Sequence, residues 1–335
     1  MRYRYFSVLS GRKVFTLLVV LFVLPVGLQS CGRLNFSEKQ IVRQNVYFDD
    51  SNLGGLSREE AGVVIARLAE LKRIEPINAV IDPITRGIIP HLNGLELDVE
   101  KTLAQALLAK ENSDVKPVYR EIAAENTLDK FPESPIYQGN PLKEQVTFLI
   151  NVAWGNEYLE EMLDVLQSAD VQATFFLVGR WVRSSEDVAK SISDAGFEVA
   201  NHGDSDALSM GRASLVDAAA DIRKANDTIE SICGVRPLYF SPHKGELSEN
   251  VLKAAASENT RLIMWSLDTV DWKLPGVDWM LNKVLTNVEG GSLILMHPTA
   301  QTADFLRQVI PALQEKQLEP VTLTELLSPT RVQRK

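Results

Sequence analysis

QVTFLINVAWGNEY (residues 145–158), VQATFFLVG (171–179) and AGFEVANH (195–202) decide how this chain folds. The runs 146–150 and 173–178 are short, apolar and rich in β-formers, and each ends in polar or small residues. A helical pattern over 158–168 separates them, and a third short strand, 197–200, delivers His202. Runs that are apolar on both faces suit parallel strands covered by helices.

The alternation continues downstream, with helices at 186–195, 215–232, 247–256, 279–288 and 303–315. Strands fall at 238–240, 262–265, 292–296 and from 321. Seven such units fit an α/β fold, an irregular (β/α)7-type barrel spanning 145–330. An open doubly wound sheet is the rival. No Gly-x-Gly-x-x-Gly follows the first strand, which lowers its dinucleotide-binding form, and no nucleotide is expected.

Upstream, ENTLDKFPESPIYQGNPLKEQ (125–145) mixes prolines, a glycine and charges, and 123–144 reads as a connector. Before it, 43–122 reads as a small α+β domain. There VRQNVYFDDSNLGGLS (42–57) gives a strand and a Gly-rich turn, and Ser57 with Glu60 fits a capping box. Asp98 is placed to cap the helix that follows it, and INAVIDPITRGIIPHLNG (77–94) reads as two short strands. His91 stands alone and carries no chemistry.

The first 13 residues hold Arg2, Arg4, Arg12 and Lys13 and no acid, and 14–28 is almost wholly apolar. This is a basic block followed by an apolar run of signal-peptide length, short for a span of about 20 residues. Segment 1–31 is therefore a signal peptide, a lipoprotein signal or a membrane anchor. Leu28-Gln29-Ser30-Cys31 resembles a lipoprotein processing site, so a lipid on Cys31 is one outcome, beside an uncleaved anchor and ordinary cleavage. Each puts the protein outside the cytoplasm, in the cell envelope. With two cysteines in the chain, acylation of Cys31 would leave Cys233 without an intrachain partner. A formal charge of -9 disfavours a nucleic-acid partner. The 335 residues, 45% of them hydrophobic, suffice for one large core and a smaller domain.

The polar residues at strand exits are Asn151, His202, Asp204, Asp206, His243, Lys244, Asp268, Asp271, Trp272 and His297. Three histidines and several carboxylates on one rim point to a metal or acid–base site. Any one histidine taken singly reads as a structural residue, so the argument rests on their convergence.

VQATFFLVGRWV, AGFEVANH, LDTVDW (267–272) and LILMHPT (293–299) occur in this order and at this spacing in the polysaccharide deacetylase family, which 145–327 resembles. Trp154-Gly155-Asn156-Glu157 is similar to the first motif of its membrane-tethered, sporulation-associated branch. RGIIPHLNGLELDVEKT (86–102) resembles a small peptidoglycan-binding module. The resemblance implies hydrolysis of N-acetyl groups on cell-wall glycan, with an Asp and two His on a divalent metal, usually zinc. It also implies a second Asp as base and a late His as acid.

Carried onto this chain, the match is partial. The Asp-Asp of the first motif is Asn151-Val152, the second His of the second motif is Asp206, and the Arg of the third is Ser241. Asp271 and His297 are kept. Asn151, Asp271 and His297 are the candidate catalytic residues, with Asn151 a poor base. His202, Asp206 and His243 are the candidate metal ligands, and Trp154, Lys244 and Trp272 the candidate substrate contacts. Trp181 reads equally as groove or core. Loss of the Arg is consistent with loss of the base carboxylate, since an unpaired buried cation is costly. The expectation is a weak or altered deacetylase, with an inactive glycan-binding or scaffold protein as the alternative.

Overall fold

The structure, a computed structural model, describes residues 40–331. The export segment and Cys31 lie outside the described residues. Among the described residues no helix is long and apolar enough to cross a membrane.

In the first part of the described chain, strand β1 (Val46–Phe48) pairs antiparallel with β2 (Ser51–Asn52). Helix α1 (Arg58–Lys72) starts at the capping box. The Ser57 N–H donates to Glu60 Oε2 at 2.9 Å, and the Glu60 N–H donates to Ser57 Oγ at 3.3 Å. A hairpin of β3 (Val80–Ile81) and β4 (Ile88–Ile89) follows, then β5 (Gly94–Leu97) and α2 (Val99–Leu108). Asp98 caps α2, accepting the Lys101 N–H at 3.0 Å. Strand β6 (Ser113–Asp114) pairs with β1, and β7 (Tyr119–Ile122) with β5. Val42, Val46, Phe48, Leu53, Ile65, Leu97 and Leu103 bury one shared core.

The larger part opens with β8 (Gln145–Val152) and α3 (Asn156–Ser168). Strand β9 (Thr174–Leu177) precedes α4 (Gly179–Ser184) and α5 (Glu186–Asp194). Strand β10 (Glu198–Asn201) precedes α6 (Leu215–Cys233), and β11 (Tyr239–Phe240) precedes α7 (Glu249–Ser257). Then come β12 (Arg261–Leu262), β13 (Leu267–Asp268) and α8 (Val277–Asn287). The last elements are β14 (Leu293–Met296), α9 (Thr302–Glu315), β15 (Glu319–Pro320) and α10 (Leu323–Leu327).

The parallel strands run in the order β12-β11-β10-β9-β8-β14-β13, and β15 pairs with the first residues of β8. This is the expected irregular barrel, curled and left open between β12 and β13. The opening has a covalent cause. Only residues 263–266 join these two strands, whereas a parallel crossover in one sheet needs about a dozen or more. They therefore end up on opposite edges.

An unpaired edge is a liability, and the connector covers this one. The Ile136 N–H donates to Leu262 O at 3.0 Å, and the Met264 N–H donates to Ile136 O at 2.7 Å. Arg261 adds guanidinium hydrogen bonds to the carbonyls of Leu128 and Phe131.

Alternation along the strands sorts the side chains into two layers. Val146, Phe148, Ile150 and Val152 of β8 face the helices, with Phe175, Leu177, Val199, Ile294 and Met296. Leu149, Phe176, Ala200, Ile263 and Leu293 face the barrel interior, where Leu323, Leu326 and Leu327 of α10 close the floor. Ala79 and Ile88 from the β3–β4 hairpin join this interior cluster.

Ile136 is fully buried in the interior cluster. Ile136→Ala should cost about 2–5 kcal/mol, read as a shift of the urea midpoint. Leu142→Ala, at a site 63% exposed, should stay within about 0.5 kcal/mol of wild type. Equal effects would contradict the sealing role of the connector.

Candidate active site

The interior face of each strand ends at the open mouth of the barrel. Two residues beyond Leu149 on that face comes Asn151, beyond Ala200 comes His202, and beyond Leu293 come Leu295 and His297. These side chains line a cavity of about 440 Å³, together with Ala153, Trp154, Asp206, His243, Lys244, Trp265, Asp268 and Trp272. All the candidate catalytic, metal and substrate residues named from sequence line it except Asp271, which lies directly behind His297, and of the other strand-exit residues Asp268 lines it and Asp204 does not.

His202 is buried, and its Nδ1–H donates to the carbonyl of Ser241 at 2.7 Å. A carbonyl only accepts, so the proton sits on Nδ1 and Nε2 carries the lone pair. His243 packs against it, ring centroids 4.4 Å apart. Its Nε2 is buried without a partner. Gly203 makes this approach feasible. It sits at φ +83, and a Cβ there would lie 3.1 Å from His243 Nε2. Burial, then the neighbouring His243, holds the His202 imidazole well below its ordinary value. Burial likewise pushes His243 down to about 4. Both rings are neutral at pH 7.

The loop after β10 is held from behind. Asp204 is buried and accepts from Arg183 Nη1 and Lys224 Nζ, each at 2.6 Å. Burial raises its pKa, and these two cations more than offset that and bring it below the ordinary value. Asp221 accepts the Asp204 N–H at 2.8 Å. Asp204 is thus a brace beneath the loop and does not line the cavity. Asp206 sits at the rim, half exposed, paired with Arg180 at 3.1 Å.

On the other wall, His297 Nδ1–H donates to Asp271 Oδ1 at 2.9 Å, and the His297 N–H donates to Asp271 Oδ2 at 2.6 Å. Thr302 Oγ1–H also reaches Asp271 Oδ2, at 3.2 Å. Nε2 of His297 is thereby left as the nitrogen available to a ligand. Trp154 lies parallel to the His297 ring, at 6.2 Å and 4°. Trp272 is 54% exposed at the rim. Val270 takes a left-handed φ of 57, costly for a β-branched residue at about 1–3 kcal/mol. Asp268 holds that turn by accepting the Val270 N–H at 2.8 Å, and the turn delivers Asp271 to His297. Trp154 approaches because Gly155 (φ +83) has no Cβ, which would meet the Pro298 carbonyl at 2.3 Å.

Val152 is a helix-facing core residue on this frame, one position out of phase with the cavity. Trp181 is core as well, 4% exposed, with Nε1–H donating to Asn156 Oδ1 at 2.6 Å. Trp265, Leu295 and Ala153 are cavity residues that sequence reading missed. Trp265 carried a usable signal, an aromatic closing the apolar run at 262–265.

Among the described residues no three His, Cys, Asp or Glu side chains stand close enough together to hold a metal ion. His202 and His243 offer imidazole nitrogens, but the carboxylate expected to join them, Asp206, is turned to Arg180. The donor set as placed does not fit the zinc site that the resemblance implies.

The polysaccharide deacetylase pattern matches residues 138–263. BA3943 from Bacillus anthracis, a CE4 family pseudoenzyme, superimposes with a TM-score of 0.72 at 35% identity, over 81% of this chain and 96% of that one. The chain belongs to the polysaccharide deacetylase family. A BA3943 mutant with restored enzymatic activity is equally similar, at 35% identity and TM-score 0.72, over 81% of this chain and 99% of that one. YlxY of Bacillus subtilis is 38% identical over 77% of this chain and 81% of its own. A peptidoglycan-N-acetylglucosamine deacetylase of Bacillus cereus is 32% identical over 52% of this chain and 65% of its own.

Two predictions follow from this deacetylase-like site. Well above pH 6.5 the two imidazoles are neutral in both folded and unfolded chains. As pH falls from 6.5 toward 4 the unfolded chain takes up protons that the fold excludes, so stability drops. The urea midpoint should decline across that window, and less steeply in His243→Gln; identical slopes would show that His243 does not contribute. Val152→Asp should destabilise by roughly 2–4 kcal/mol, since it puts an unpaired carboxylate in an apolar cluster. A neutral effect on the melting curve would mean that residue 152 can turn to the cavity.

Proposed function

We propose that this protein binds cell-wall glycan at the open end of its barrel and hydrolyses N-acetyl bonds there weakly or not at all. The observation that carries this reading is Asn151. It holds the cavity-facing position at the end of the central strand, where the family places its carboxylate base, and it has no ionisable group. A positioned base contributes about 10²–10⁴ in rate. The weak donor set around His202 adds to that loss, and the pseudoenzyme standing of BA3943 supports the same conclusion.

What remains suits binding. Trp154, Trp265 and Trp272 offer flat apolar faces for sugar rings, and Lys244 offers a cation beside them. The His297–Asp271 pair keeps a proton donor or acceptor at the wall. The glycan class comes from relatives named for peptidoglycan and for chitooligosaccharide. The basic and apolar start of the sequence supports an envelope location, held through an uncleaved anchor or a lipid at Cys31. Residues 43–122 are then a wall-facing domain, and 123–144 the connector that seals the barrel.

The test compares the full-length protein with a peptidoglycan deacetylase of the family, measuring acetate released from peptidoglycan and chitin oligomers. Release at least about 100-fold slower is expected, with chitotetraose still bound, and Trp154→Ala should weaken that binding roughly five- to tenfold. Acetate release at the rate of the comparison enzyme would sink the proposal, as would failure to bind glycan.

A further inference from the structure

A second cavity, of about 520 Å³, opens at the closed end of the barrel, away from the mouth. The connector forms one wall with Leu128, Asp129 and Pro132. Tyr239 and Arg261, which open β11 and β12, form another, and Thr324 and Leu327 of α10 a third. Three of the groups lining it have charge or hydrogen-bonding capacity that the protein leaves unused.

Arg261 is half-buried, and its guanidinium donates to the carbonyls of Leu128 and Phe131. A guanidinium has N–H groups to spare after two such bonds. Among the described residues no carboxylate stands at ion-pair distance from it. Burial lowers its pKa, against the pull of Asp129 and Tyr239. Asp129, exposed at the rim, has neither a hydrogen bond nor an ion pair among the described residues. Tyr239 adds an acceptor. Thr324 Oγ1–H donates to Glu198 Oε1, which uses its single hydrogen. The Tyr239 O–H therefore donates to Thr324 Oγ1, at 3.0 Å. The lone pairs of the Tyr239 oxygen are left to receive an N–H.

One cation and one carboxylate at separate points select against singly charged ligands. An anion on Arg261 also meets Asp129, and a cation on Asp129 also meets Arg261. Like charges brought together weaken binding, so a ligand carrying both signs fits best. An α-amino carboxylate has both on one carbon, with ammonium N–H groups for Asp129 and Tyr239. Leu128, Pro132, Leu238 and Leu327 leave apolar wall for an aliphatic side chain.

We infer that this cavity binds an α-amino carboxylate zwitterion, its carboxylate on Arg261 and its ammonium between Asp129 and the Tyr239 oxygen. A free amino acid presents that group, and so does the uncross-linked diaminopimelate end of a wall peptide. The site does not depend on what occupies the mouth. An occupied cavity ties Asp129 to Arg261, and so fastens the connector to the sheet edge that it seals.

The test records melting curves of the full-length protein with alanine, valine, leucine and a muramyl tripeptide ending in diaminopimelate. Amidated and N-acetylated forms of each, which lack one charge, are run beside them. At least one of the unmodified compounds should raise the midpoint. Titration of that shift should give an affinity roughly tenfold to a hundredfold tighter than for its modified forms. Asp129→Asn should weaken binding by a similar factor with little change in the ligand-free midpoint, since Asp129 holds nothing in place. A tighter tripeptide would assign the site to the wall, and a tighter amino acid to a soluble ligand. No shift with any compound, equal shifts with the modified forms, or wild-type binding in Asp129→Asn would overturn the inference.

Discussion

Side chains of a strand alternate between faces, and that period fixes what the mouth of this barrel contains. Along β8, Leu149 and Asn151 share the interior face while Ile150 and Val152 share the helix face. Adjacent residues of a regular strand cannot both reach one cavity. Two adjacent carboxylates could both reach the cavity only if the strand departed locally from this regularity. Here β8 stays paired through Val152, which matches Leu177 of β9 in register. Strand regularity and an apolar residue at 152 support one another, and together they take one donor out of the site. Core packing has claimed a position that catalysis uses elsewhere.

The second-motif loop shows a related trade. A metal normally draws its side chains together. Here the loop is ordered by Asp204 between Arg183 and Lys224, and by Asp221 beneath the backbone. Burying a carboxylate is tolerable when cations and N–H groups meet it, and these do. Asp206 is free of that brace and pairs outward, with Arg180. An exposed pair of this kind is worth about 0–1 kcal/mol, so it sets the resting position of Asp206 without locking it. These contacts hold the loop at the mouth of the cavity.

Much of this was legible in the sequence. The capping box at Ser57, the Asp98 cap and the strand exits carrying Asn151, His202 and His297 all follow from short-range rules. The Asp271–His297 pair came from a family resemblance, and the structure gives it a hydrogen bond. What escaped is long-range. Nothing near Ile136 in the sequence says that it closes a sheet edge more than a hundred residues away. The partners of Asp204 and Asp206 lie on helices before and after their own loop. Trp265 was assigned to a strand, and only the curl of the sheet turns its ring to the cavity. Val152 was read through its chemistry as a non-ligand, while its phase along the strand carries the stronger reason.

The floor of the barrel is closed by residues 319–327. Strand β15 pairs with the first residues of β8, and the leucines of α10 fill the interior beneath Leu149 and Phe176. The central strand is thus completed by a segment synthesised about 170 residues after it. Until that segment leaves the ribosome or the export channel, the apolar interior of β8 and β9 has no cover from below. Nascent chains of this topology expose aggregation-prone surface for the length of that delay. A holding chaperone, or passage through the membrane before folding, would shield the interior until its last piece arrives.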